Sequence, residues 1–206
     1  MSDDLDEQKN REHQQAMKAL KAERDAMMAE MEDRPGLLLV HTGDGKGKST
    51  SGFGMVLRAL GWGQKVGIVQ FIKGKWITGE RLFFQKRFPD LVRLEIMGEG
   101  FTWEVQDRTI DMAAAAKAWE ASKQMILDPE LDFVLLDELN IALRYDYLDI
   151  HEIVEFLANR PRDKHVCVTG RNAKPELLAI ADLITDMTQV KHPFEQGIKA
   201  QRGIDF

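Results

Sequence analysis

The sequence predicts an α/β protein built on a largely parallel sheet flanked by helices, preceded by a charged helical arm. Three observations carry this. From residue 37 onward, short apolar runs alternate with helical patterns. A glycine-rich loop, HTGDGKGKST (41–50), joins the first apolar run to the first helix of that region. A second run, FVLLDELN (133–140), closes on two acids. Continuous apolar runs mark strands buried on both faces. Their alternation with helices implies parallel pairing with right-handed crossovers.

Residues 1–34 hold ten acids and six bases, no glycine and no aromatic residue, and are rich in Ala, Gln, Glu, Lys and Met. These are strong helix formers. Met17, Leu20, Met27, Met28 and Met31 form a thin apolar stripe at helical spacing. Two readings stand: a solvated arm, or a helix that orders on a subunit or ligand. Arg34-Pro35-Gly36 ends it, so 35–206 is expected to be the folded domain.

The elements then follow in order. LLLVH (37–41) is a buried strand, and STSGFGMVLRALG (49–61) a helix that stops at its glycine. KVGIVQF (65–71) is the second strand, TGERLFFQKRF (78–88) a helix closed by Pro89, and VRLEIM (92–97) the third strand. DRTIDMAAAAKAWEASKQMIL (107–127) is an Ala-rich helix. DFVLLDE (132–138) is the fourth strand, DIHEIVEFLAN (149–159) a helix and HVCVTG (165–170) a strand. KPELLAIA (174–181) is a helix, and LITDMTQV (183–190) a last strand. The tail VKHPFEQGIKAQRGIDF (190–206) has few helix signals. Phe194, Ile198, Ile204 and Phe206 point to a fixed tail packed on the body.

Composition excludes several classes. The net charge of −6 argues against a general nucleic-acid binder. No apolar run approaches the ~18 residues of a membrane span, and no apolar signal core is expected at the N-terminus, so the cytoplasm is the expected location. The one cysteine, Cys167, excludes an intramolecular disulfide and reads as a buried strand residue. The five histidines show no metal-ligand spacing; His192 and Lys191 are possible polar contacts to a ligand.

The loop departs from the phosphate-binding formula G-x-x-x-x-G-K-[ST], because Thr42 stands where the first glycine belongs. The context nevertheless fits. Gly43, Gly45 and Gly47 let backbone N–H groups close on an anion, with Asp44 between them and Lys46 as a second cation. Lys48, Ser49 and Thr50 open a helix whose N-terminus favours negative charge. In such loops the lysine reaches phosphate oxygens and the next hydroxyl meets Mg²⁺. Asp137 and Glu138 end an apolar strand, as the acids of a magnesium-holding strand do. These observations reach a Mg²⁺–nucleotide protein. They leave a kinase, an ATPase and other chemistry open. Arg171 and Asn172 fall at the same sheet edge, where the arginine either contacts a phosphate or a ligand carboxamide or pairs with other side chains on the surface. GEGFTWEVQD (98–107) is a Gly-flanked loop whose Phe101 and Trp103 either anchor it or line a pocket for a flat apolar ligand.

Taken together, HTGDGKGKST, VQFIKGKW, GEGFTWE, VLLDELNIALRYDYLD, VTGRNAKPELLAIADLITDM and VKHPFEQGIKAQRGIDF resemble the P-loop family of bacterial ATP:cob(I)alamin adenosyltransferases. The likeness runs from about residue 35 to the C-terminus. It implies a P-loop, RecA-like sheet and transfer of the 5′-deoxyadenosyl group of ATP to cobalt(I) of a corrinoid, releasing triphosphate. Gly43 to Ser49 match the family's loop, with Asp44 where Asn is frequent and Ser49 where Thr is frequent. The resemblance implies catalytic roles for Lys48 and Ser49, Mg²⁺ (or Mn²⁺) held by Ser49, Asp137 and Glu138, and Phe101 and Trp103 against the corrin. It further implies a homodimer, a flavoprotein reductase as electron donor, and an arm that covers the corrinoid. An ATPase or kinase cutting the γ-phosphate, and a non-catalytic nucleotide sensor or corrinoid carrier, are the alternatives.

Overall fold

A computed structural model describes residues 2–72, 77–96 and 108–205. The chain forms two compact units, Met1–Arg34 and Pro35–Phe206. The first is one helix, α1 (Ser2–Ala29). From residue 6 its side chains are exposed, the methionines and Leu20 of the thin stripe included. Glu7 and Arg11 pair across one turn at 3.6 Å, a contact worth a few tenths of a kcal/mol at about this exposure.

The second unit is a six-stranded parallel sheet in the order β3-β2-β4-β5-β1-β6. The strands are β1 (Leu38–Thr42), β2 (Val66–Gln70), β3 (Val92–Ile96), β4 (Phe133–Asp137), β5 (His165–Thr169) and β6 (Leu183–Asp186). Side chains alternate between two buried faces, which is why the central strands read as unbroken apolar runs. Val40, Val134, Leu136, Val166 and Val168 pack on one side with α4 (Arg108–Leu127), α6 (Ile150–Ala158) and α7 (Pro175–Ile180). Leu39, Ile68, Leu135 and Cys167 pack on the other with Phe53, Val56 and Leu60 of α2 (Lys48–Gly61) and Phe84 of α3 (Gly79–Arg87). Burial also pushes the Cys167 thiol up to about 12, so it is an inert packing residue.

Local chemistry sets the helix starts. Thr78 accepts the Arg81 N–H ahead of α3, Asp149 accepts the His151 N–H ahead of α6, and Pro175 occupies the first turn of α7. Gly52 lets α2 lie close on the sheet: a Cβ there would sit 2.8 Å from Leu135 Cδ1 and 3.1 Å from Thr169 Cγ2.

Three expectations are corrected. The last strand ends at Asp186, not 190, because past it the chain turns to brace the loop after β1: the Met187 carbonyl accepts the Gly45 N–H at 2.6 Å. A short helix, α5 (Leu139–Arg144), follows directly on the acidic strand end; six residues are too few to show a helical period. The C-terminal tail does not pack its described apolar side chains. Phe194 is 79% and Ile204 80% exposed; a 3₁₀ turn (Pro193–Gln196) and polar contacts hold its course. Phe206 lies outside the described residues.

Candidate active site

The glycine loop runs from β1 into α2 at the carboxyl edge of the sheet, where ligands bind in open α/β folds. Gly43 (φ 97°) and Gly47 (φ 113°) adopt left-handed backbone that side-chain-bearing residues avoid. The turn is tight: a Cβ on Gly43 would lie 2.2 Å from Asp186 Oδ1. Gly47 stands at the N-cap of α2 and offers no side-chain acceptor. The first N–H groups of this 14-residue helix are therefore left for an anion. The Gly45 N–H is already committed to Met187, so that residue shapes the loop. Asp44 and Thr50 lie exposed on the rim, and Lys46 is exposed and ion-paired with Asp205 of the tail.

Thr42 answers the missing first glycine. It is buried, and its Oγ1 accepts the Ala173 N–H at 3.0 Å, tying the glycine loop to the turn between β5 and α7. One residue earlier, buried His41 meets Ser51 Oγ through Nδ1 at 2.7 Å. Burial holds its pKa below the ordinary range, against a backbone hydrogen bond at Lys48 that raises it.

Lys48 is 6% exposed, and its ammonium donates to the Gly45 carbonyl within the loop. Burial first, then the positive field of Arg171, lower its pKa; Glu138, Asp44 and Asp186 oppose the shift. A bound anion would oppose this lowering.

The two acids stand at the end of β4, and the Glu138 charge reaches this lysine. Asp137 is buried. Its Oδ1 accepts the Thr169 hydroxyl at 2.8 Å and its Oδ2 the Gln70 amide at 3.1 Å. Burial raises its pKa, partly offset by hydrogen bonds from Gln70, Thr169 and Ser49. Glu138 takes left-handed backbone (φ 64°), an uncommon conformation for a non-glycine residue. Its N–H donates to Thr169 Oγ1 at 3.0 Å. Burial, then the Asp137 charge, push the Glu138 carboxyl up to about 7; Lys48, Arg171 and Ser49 pull it down.

Ser49, Asp137 and Glu138 thus come together at one end of a cavity of about 390 Å³. Two carboxylates held above their usual range beside a hydroxyl form a set of hard oxygen donors that a divalent cation would relieve, so these residues fit Mg²⁺ or Mn²⁺. No group of three or more His, Cys, Asp or Glu suited to a metal exists among the described residues. The remaining ligands would therefore be phosphate oxygens and water, as magnesium prefers. Phe53 and Ile72 give the same cavity an apolar flank, and Gly203–Asp205 of the tail border it.

Phe101 and Trp103 lie outside the described residues. His192 caps the 3₁₀ turn by accepting the Phe194 N–H at 3.1 Å. Gln70 and Thr169, the acid-holding residues, went unnoticed in the sequence. Their signal is a polar residue closing an apolar strand, as the acids themselves do in β4. Asn140 was missed too; it is buried, donates to the Gly170 carbonyl at 3.0 Å, and leaves its own carbonyl oxygen unpartnered. Among the described residues no helix is long and apolar enough to cross a membrane.

Comparison with known proteins agrees with this geometry. Residues 34–206 match the family described as ATP:corrinoid adenosyltransferase BtuR/CobO/CobP. A corrinoid adenosyltransferase of Sinorhizobium is 52% identical over 195 residues, 94% of this chain and 91% of that protein. One from Pseudomonas aeruginosa is 51% identical over 97% of this chain and 98% of its own length. One from Escherichia coli K12 is 44% identical over 94% and 97%. A family match across residues 34–206, together with relatives of this identity and coverage, places the chain in the ATP:corrinoid adenosyltransferase family.

Proposed function

We propose that this chain transfers the 5′-deoxyadenosyl group of ATP to the cobalt(I) of a corrinoid. The observation that carries the reading is the glycine loop, Lys48 and the Asp137–Glu138 pair gathered at one sheet edge in a chain of this family. The electron pair of cobalt(I) forms the new cobalt–carbon bond at C5′. The C5′–O bond breaks, and its electron pair leaves with the triphosphate. Cobalt ends as an alkylated cobalt(III) centre.

The chain's own residues act on the departing group. Negative charge grows on the bridging oxygen as the bond breaks. Fixed donors aimed at that charge lower the barrier. Lys48 and the free N–H groups at the start of α2 are such donors, with Lys46 on the rim. Lys48 exchanges the Gly45 carbonyl for phosphate oxygen when ATP binds. Gly43 and Gly47 keep the turn close enough for backbone contact. Ser49, Asp137 and Glu138 would hold Mg²⁺ or Mn²⁺, which neutralises triphosphate charge when bound; Thr169 and Gln70 keep Asp137 oriented for this.

Phe101 and Trp103 are proposed to face the corrin, where an apolar wall offers cobalt no axial donor and eases its reduction. A homodimer, a flavoprotein reductase as electron donor, a cytoplasmic location and an arm that orders over the corrinoid complete the reading, each resting on the family resemblance. Incubation with ATP, Mg²⁺ and chemically reduced cobalamin tests it. A light-sensitive alkyl-cobalt spectrum is expected. ATP binding without any turnover under reducing conditions would instead make the chain a sensor or carrier.

A further inference from the structure

The site's cations are not equivalent. Lys46 pairs with Asp205, and Lys174 with Asp146. Arg171 is exposed in the turn between β5 and α7 and has no hydrogen-bond or ion-pair partner among the described residues. The turn that carries it is nevertheless firmly held. Gly170 (φ 126°) and Asn172 (φ 55°) take left-handed backbone on either side of Arg171. The Gly170 N–H donates to the His41 carbonyl at 3.2 Å, and its own carbonyl accepts Asn140 Nδ2 at 3.0 Å. The Ala173 N–H donates to Thr42 Oγ1 at 3.0 Å. A Cβ on Gly170 would approach Asn140 Cβ to 2.9 Å, so the turn has no slack on that side.

Two of these three anchors, His41 and Thr42, are the last residues of β1, where the glycine loop begins. They place the arginine turn beside that loop: Arg171 and Asn172 share a cavity of about 720 Å³ with Gly43 and Asp44. A guanidinium on a braced turn beside the glycine loop, at the same carboxyl edge of the sheet as Lys48, forms with that lysine an arrangement that an anion between them stabilises. Asp44 and Asp186 line the same cavity without pairing with Arg171.

We propose that Arg171 is a second cation on the polyphosphate of ATP, opposite Lys48, and that Thr42 is a positioning residue that holds Arg171 there. This deepens the adenosyl-transfer reading and rests on it. Thr42 then has a reason to differ from glycine. A side-chain acceptor at this position fastens the arginine turn, which a glycine would leave untied. Guanidinium suits the role because its planar fork donates to two phosphate oxygens at once. Charge-assisted contacts of this kind contribute roughly ten- to a hundred-fold in affinity.

The experiment uses the full chain and inorganic triphosphate with Mg²⁺ as the probe. Binding is followed by calorimetry alongside the KM values for ATP and for reduced cobalamin. Arg171→Ala is expected to weaken triphosphate binding and raise the ATP KM about ten- to a hundred-fold, with the cobalamin KM unchanged. Arg171→Lys recovers part of the loss. Thr42→Val, which removes the acceptor and keeps the shape, weakens triphosphate binding about three- to ten-fold, and Thr42→Ser restores it. Unchanged triphosphate affinity in Arg171→Ala, with only a shifted melting temperature, overturns the proposal and leaves Arg171 a neutraliser of Asp44 and Asp186. A raised cobalamin KM with unchanged triphosphate binding overturns it in favour of the corrinoid. Formation of ADP by the wild-type chain sinks the adenosyl-transfer reading instead, and the triphosphate titration of Arg171→Ala still decides whether Arg171 grips polyphosphate.

Discussion

Thr169→Val isolates the brace behind the two acids. Thr169 is fully buried at the end of β5. Its hydroxyl donates to Asp137 Oδ1 at 2.8 Å and accepts the Glu138 N–H at 3.0 Å. Valine keeps the shape and the β-branch while deleting both bonds. A hydrogen bond to a charged acceptor contributes about 1.5–3 kcal/mol, and a buried donor left unsatisfied costs about 1–3 kcal/mol. Asp137 can take up a proton and shed part of its loss, since burial already raises its pKa. The expected destabilisation is therefore roughly 2–4 kcal/mol, or a melting temperature lower by about 5–15 °C for a domain of this size. Urea unfolding followed by circular dichroism reads it as a lower midpoint at unchanged slope, and Thr169→Ser should recover most of the loss. A Val variant within about 0.5 kcal/mol of wild type would show that the hydroxyl does not hold the acids, and the Glu138 backbone conformation would need another cause.

Other perturbations separate packing from chemistry. Lys48→Ala should abolish turnover and leave the unfolding midpoint near wild type; a normal rate would remove Lys48 from the site. Gly52→Ala should destabilise by about 1–3 kcal/mol through overpacking, because its Cβ meets Leu135 at 2.8 Å; an unchanged midpoint would mean that α2 can retreat. The pH dependence at His41 has a definite sign. Its folded pKa lies below the ordinary value of 6.5, so the unfolded chain binds the proton more readily. Stability from this residue is complete above about pH 6.5 and lost as pH falls below it. The stability difference between wild type and His41→Asn, measured by urea unfolding at pH 7.5 and 5.5, should move against wild type at the lower pH; a pH-independent difference contradicts this. Phe101→Ala and Trp103→Ala should slow reaction from cobalt(II) far more than from pre-reduced cobalt(I), and equal slowing would make these aromatics mere anchors of their loop.

The strands were legible because burial on both faces leaves few polar residues in a run, as in Phe133–Asp137 and His165–Thr169. The glycine loop was legible because its function demands glycine at turns of positive φ, seen at Gly43 and Gly47. The acids stood out as charge ending an apolar run. What stayed hidden depends on strand order. Thr169 and Gln70 meet Asp137 because β4 lies between β2 and β5, and Thr42 meets Ala173 because β5 lies beside β1. No spacing along the chain announces those neighbours. The tail misled for a different reason: scattered apolar residues in it resemble a packing face, yet its described contacts to the glycine loop are polar, through Asp205 and Lys46.

Where the bond breaks in ATP is the direct test of adenosyl transfer. Phosphorus NMR of a complete reaction, with cobalt alkylation counted from the visible spectrum, gives both products at once. One intact triphosphate for each adenosylated cobalt is the expected result. Orthophosphate with ADP, and no alkylated cobalt, would place the cut between phosphates and make the chain a nucleotide hydrolase or kinase.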